Sequence, residues 1–220
     1  MRNYIAIIGD IIKSKNIPNR FEFQEKLKDI FTRINTKYSH SIASKFSITI
    51  GDEFQAVLFL DKNLLQLLDE LYVSIPYNFR LGIGFGSLST KIDPEISIGA
   101  DGEAFWNARE AIEFIHNSNY KNRCNIYFVG KKDIDSSINI IFLLSETIKS
   151  QWTTLQKDTF AAMINENIYG ENFKQYDLAR KLNTSESNLS RRLSNGNIKI
   201  YLRARNEITG LLEKYYEHSE

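Results

Sequence analysis

Residues 47–60 read SITIGDEFQAVLFL. Apolar and polar residues alternate, break at a short glycine-acid stretch, and alternate again, the pattern of two β-strands joined by a tight hairpin. The strands are expected at about 46–51 and 54–60, with Gly51, Asp52 and Glu53 in the turn. Asp and Gly serve hairpin turns for conformational reasons alone. Yet two adjacent carboxylates repel, and Asn-Gly would turn more readily. The acidic tip therefore asks for something positive beside it.

Upstream, residues 3–9 (NYIAIIG) read as a buried strand that stops at Asp10, where no turn residue is required. The loop IIKSKNIPNR follows, and residues 20–38 then place Phe23, Leu27, Ile30, Phe31 and Ile34 at helical spacing. Downstream, residues 61–73 read as a helix with Asp61 as its N-cap. Residues 78–86 (NFRLGIGFG) form a strand whose glycines imply the close approach of a backbone or a ligand. Gly82, Gly84 and Gly86 lack the strand-to-helix context of a dinucleotide fingerprint. A helix over about 103–116 and a strand at 124–129 (CNIYFV) complete the segment. Helices mixed with a hairpin-containing sheet give an α+β class with a ferredoxin-like, or palm, arrangement over residues 1–130.

Residues 131–137 (KKDIDSS) read as a linker, and residues 138–220 as a separate all-α domain. Within it, DLARKLNTSESNLSRRLSNG has the logic of a helix-turn-helix. Leu178, Ala179 and Leu182 face inward on the first helix, and Asn183 and Thr184 turn the chain. Ser185 N-caps the second helix, whose inner face is Leu189 and Leu193. Ser187, Asn188, Ser190, Arg191 and Arg192 remain for its outer face, where they suit base edges in the major groove of double-stranded DNA. Lys199, Arg203 and Arg205 are expected on phosphates. Residues 172–205 hold eight Lys and Arg against two acids, an excess of six in a chain of net charge +1. Such asymmetry fits a nucleic-acid-facing module on a mildly acidic body. A helical interaction or dimerisation module with a solvated basic face is the plainer alternative.

The single cysteine, Cys124, excludes an internal disulfide framework and cannot build a zinc site alone. The histidines, at 40, 116 and 218, show no metal-binding spacing. Asp10 interrupts the apolar N-terminal run, so no signal peptide is expected. No stretch approaches membrane-spanning length, so no membrane partner and a cytoplasmic address are expected.

If the strands of Asp10 and Asp52 are neighbours, their carboxylates share one sheet end. That pair suits Mg²⁺ or Mn²⁺, which take oxygen ligands and bind substrate phosphates. Glu53 would add an outer ligand. Lys13, Ser14 and Lys15, the backbone of Ile11 and Ile12, the turn at Gly51, and Arg109 would then serve a nucleotide. Arg80 could pair with Glu53 or Asp101, while Phe105 and Trp106 suit core or interface better than base stacking.

Four segments carry a resemblance. SITIGDEFQAVL is similar to the hairpin of class III nucleotide cyclases, and its GDEF to the core of the GGDEF signature of diguanylate cyclases. IAIIGDIIKSK resembles their first metal strand, FRLGIGFGSLS a later strand, and GADGEAFWNAREAIEFI the segment opening the next helix. Two departures stand out: Ile50 replaces the first glycine, and Asn107 and Arg109 are two residues apart where the cyclases have an Asn and Arg four apart. Over nearly its whole length the chain resembles the SatD family, through GDIIKSK, GDEFQ, RLGIGFG, DGEAFWNAREAI and the C-terminal helix-turn-helix. The resemblance implies a cyclase-like palm joined to a DNA-binding-type domain. The expected function is a metal- and nucleotide-binding transcriptional regulator, as a homodimer. The alternatives are a Mg²⁺-dependent nucleotide cyclase or other phosphoryl-transfer enzyme, and a palm that is only structural.

Overall fold

The computed structural model describes residues 2–118, 120 and 124–217, so His218 lies outside the described residues. Strand β1 spans Tyr4–Ile11, helix α1 Arg20–Lys37, β2 Ile42–Ile48 and β3 Glu53–Leu58. Helix α2 spans Leu64–Ser74, β4 Phe79–Gly86, α3 Glu103–Asn117 and β5 Ile126–Val129. The sheet order is β2-β3-β1-β4-β5. Strand β1 is central and antiparallel to both β3 and β4, and β5 runs parallel to β4. The first four strands thus follow the β-α-β-β-α-β order expected from the sequence.

Alternation along β1 separates the two faces. Ile5, Ile7 and Ile11 join the core under α1 and α2, with Phe54, Leu58, Leu81 and Ile83. Ala6 and Ile8 face α3 through Ala104, Phe105 and Ala108. The glycines of β4 permit that second contact. A Cβ on Gly82 would lie 2.3 Å from the Ala108 carbonyl oxygen, and one on Gly84 would lie 2.1 Å from that of Ala104. The close neighbour implied by glycine in this strand is the backbone of α3.

Several boundaries differ from the sequence reading. β1 continues through Asp10 to Ile11, and the hairpin strands lie earlier than expected. Register shifts in β2 between Ile42 and Ser44 and between Ser44 and Ser47 break the alternation that defined its edges. Glu53 belongs to β3, not to the turn. The turn closes with Glu53 N–H on the Ile50 carbonyl at 3.1 Å, and Gly51 takes φ +68°, which glycine adopts without strain. Asp61 does not cap α2: the helix begins at Leu64, and the Asp61 carboxylate accepts from the Asn63 N–H and the Ser41 hydroxyl. Trp106 is 61 % exposed and donates to Asp101, whereas Phe105 is core.

The remaining helices are α4 Asp135–Ser150, α5 Thr154–Asn165, α6 Gln175–Lys181, α7 Glu186–Asn195 and α8 Ile198–Leu212. The stretch read as a linker therefore includes the first turn of α4. Ile138 and Phe142 of α4, Ile208 and Leu212 of α8, and Tyr216 belong to the same core as the sheet. A second core gathers Trp152, Phe160, Met163, Leu178, Leu189 and Leu193, and again Tyr201 and Leu202 of α8. No helix among the described residues is long and apolar enough to cross a membrane.

Candidate functional site at the sheet end

Cross-strand register assembles the site. Asp10 is paired with Glu53 on one side and Arg80 on the other, so the three side chains project from one face, the face α3 covers. Arg80 Nη1 donates to Asp10 Oδ2 at 3.0 Å. Arg109 clasps Glu53 with two bonds of 3.2 Å. His116 Nε2 lies 3.4 Å from Asp10 Oδ2. Arg109 and His116 are seven residues apart on α3, which places them on one helix face two turns apart. Asn107 points away, donating to the Phe85 carbonyl at 2.8 Å.

Asp10 is the strained member. Burial pushes its carboxyl above the ordinary range, and Asp52 pushes the same way; Arg80 and His116 counter them without reversing the result. Asp10 Oδ1 is buried with no hydrogen-bond partner. A divalent cation fits that atom: it would satisfy the orphaned oxygen and relieve the repulsion from Asp52. Among the described residues no cluster of three or more His, Cys, Asp or Glu could hold a metal. Ligand oxygens would have to complete the shell, as they commonly do for Mg²⁺. Glu53 is committed to Arg109, which sets it apart from that role.

The other candidate residues are placed unevenly. Gly51 and Asp52 stand at the hairpin tip, where Gln24 donates to the Gly51 carbonyl at 2.8 Å. Lys13 and Lys15 are exposed and Ser14 is buried in a short 3₁₀ turn, Lys13 with φ 57°. The Ile11 N–H bonds to the Asp52 carbonyl and the Ile12 N–H to the Asn78 carbonyl, so neither is available to a phosphate. Arg80 pairs with Asp10 and not with Glu53 or Asp101. His116 was missed by sequence reasoning, although its seven-residue offset from Arg109 carries the signal.

In the C-terminal segment, Ser185 accepts from the Asn188 N–H at 3.2 Å, as an N-cap should. Leu189 and Leu193 are buried, Ser187, Asn188, Ser190, Arg191 and Arg203 are exposed, and Arg192 and Lys199 are half-buried. Arg205 departs from expectation. It is 2 % exposed and bonds to Asp69, Glu146 and Tyr201, so it cannot contact a DNA phosphate.

The model of the SatD family matches residues 4–212. No curated protein matches the chain. Among solved structures, a bacterial light-regulated adenylyl cyclase aligns with 69 % of this chain and 81 % of its own at 15 % identity, with a TM-score of 0.38.

Proposed function

The chain belongs to the SatD family, and from that premise we propose that it is a regulator that binds a nucleotide with Mg²⁺ or Mn²⁺ at the sheet end and double-stranded DNA through α7. One observation carries the nucleotide half: Asp10 keeps a buried oxygen without a partner while Asp52 adds repulsion beside it. Asp10 and Asp52 would hold the cation, which when bound supplies positive charge to carboxylates and phosphate oxygens and can polarise a phosphoryl group. Lys13 and Lys15 are free to meet phosphates. Arg109 would meet them by exchanging Glu53 for the ligand. Arg191, Arg192 and Arg203 would track DNA, with Asn188 at a base edge. A homodimer would present two copies of α7.

The test is a thermal-shift panel of nucleoside triphosphates and cyclic dinucleotides, with Mg²⁺ or a chelator, on wild type and Asp52→Ala. A metal-dependent rise that the variant loses is expected; no rise with any nucleotide would sink the nucleotide half. For the DNA half, Arg191→Ala with Arg192→Ala should weaken duplex binding and flatten its salt dependence. The second reading, phosphoryl transfer, is favoured by the gathering of Arg80 and His116 about Asp10, with Arg109 on the neighbouring Glu53. It requires turnover that both Asp10→Ala and Asp52→Ala abolish.

A further inference from the structure

A second ionic cluster lies where α2, α4 and α8 meet the starts of β4 and β5. Each of its two acids accepts from more than one donor. Asp69 accepts from the Tyr169 and Tyr201 hydroxyls, each at 2.6 Å, and from Arg205 at 3.4 Å. Glu146 accepts from Arg205 at 2.7 Å and from Lys149 at 2.6 Å. Its two bases keep donors to spare. Arg205 spends Nε and Nη2 on these partners, and its buried Nη1 has none. Lys149, 7 % exposed, has Glu146 as its hydrogen-bond acceptor and rests 3.9 Å from the centre of the Tyr72 ring. An ammonium carries three donors and a guanidinium five, so the surplus here is donor capacity, while the four charges balance.

Beside these bases lies a cavity of about 180 Å³, room for roughly a dozen waters. Leu68, Tyr72, Phe79 and Ile126 give it apolar walls, and the exposed Lys157 also lines it. With Lys157 counted, three cations face two acids.

We propose that this cavity binds a small organic anion, one carboxylate or phosphate group on an apolar body, with the anionic group between Lys149 and Arg205 Nη1. The site is separate from the sheet-end carboxylates and does not rest on the nucleotide reading. Its walls come from both sides of residue 130, so an occupant ties the sheet to the C-terminal helices.

Calorimetry and thermal shift on the full chain test it, with benzoate, phenyl phosphate, inorganic phosphate and neutral benzyl alcohol as probes. Benzoate or phenyl phosphate should bind at millimolar concentration or below and raise the Tm, the stronger of the two naming the anionic group. Inorganic phosphate should bind more weakly and benzyl alcohol not at all. Lys149→Met should abolish binding, and Asp52→Ala should leave it intact. Lys157→Gln, at an exposed position that leaves the fold undisturbed, should weaken it about two- to fivefold. The proposal fails if neither aromatic anion binds, if benzyl alcohol binds as well as benzoate, or if Lys157→Gln changes nothing; equal binding by a folded Lys149→Met also overturns it.

Discussion

Asp10 and Arg205 each sit in a cluster of mixed charge, and each cluster leaves one buried atom without a partner. At the sheet end that atom is an acceptor, and the members stay partly open to solvent: Asp10 and Arg80 side chains are 19 % and 21 % exposed. Between the helices it is a donor, and both Arg205 and Asp69 side chains are 2 % exposed. An open cluster can exchange partners at small cost, because water screens what is lost. A closed one cannot, because every charge in it was taken out of water and depends on its neighbours. The first arrangement suits the proposed exchange in which Arg109 gives up Glu53 for a ligand. The second suits a joint.

The sharpest way to break this contrast is Arg205→Leu. It leaves two interior acids, Asp69 and Glu146, with Lys149 as the cluster's remaining cation, and a loss of about 3–5 kcal/mol is expected in urea unfolding. A loss below 1 kcal/mol would mean that the helix cluster is no more demanding than the surface one. Gly84→Ala comes next. Its Cβ would meet α3 backbone on both sides, the Ala104 oxygen at 2.1 Å and the Ala108 nitrogen at 2.2 Å. About 1–3 kcal/mol should be lost, and the Arg109–Glu53 clasp should shift while the Arg205 cluster stays in place; backbone amide chemical shifts would separate the two. Arg109→Gln should change stability by less than about 1 kcal/mol, since its partner pair is exposed. A larger loss would place the clasp among the joints.

The smallest effect concerns Cys124. Burial pushes its thiol up from 9.0 to about 11. The native chain therefore holds a proton that the unfolded chain releases above pH 9, so the thiol's contribution to stability falls as pH rises from 9 towards 11. Iodoacetamide labelling of the folded chain should be slow at pH 8 and accelerate towards pH 11; rapid labelling at pH 8 would show Cys124 open to solvent.

Much of this is legible in the sequence. Helical spacing located the inward residues Phe23, Leu27, Ile30, Phe31 and Ile34, all buried. The alternating runs revealed the strands that bring Asp10 beside the acidic hairpin. What escaped was set by register and burial, which spacing reports only indirectly. Two irregularities in β2 moved the hairpin, and with it Glu53 passed from turn to strand, into reach of Arg109. Charge counting assigned Arg205 to DNA because a count is blind to the side of the helix. The stripe Ile198, Tyr201, Leu202, Arg205, Ile208 runs at helical spacing and is buried throughout; read as a stripe, it places Arg205 inward.

Tyr216 packs edge-on against Phe85 and Phe128, at 4.7 and 5.3 Å between ring centres, and a Cβ on Gly130 would strike its ring. The strands that Tyr216 covers are made in the first 129 residues, but this part of their cover arrives only with residue 216. During synthesis α4 can cover part of that face early, but the part under Tyr216 waits, apolar, while the later helices emerge. Closing contacts so distant in sequence is slow. A nascent chain stalled before residue 198 should be held by chaperones and cut readily by protease, and should resist both once α8 and Tyr216 have cleared the ribosome.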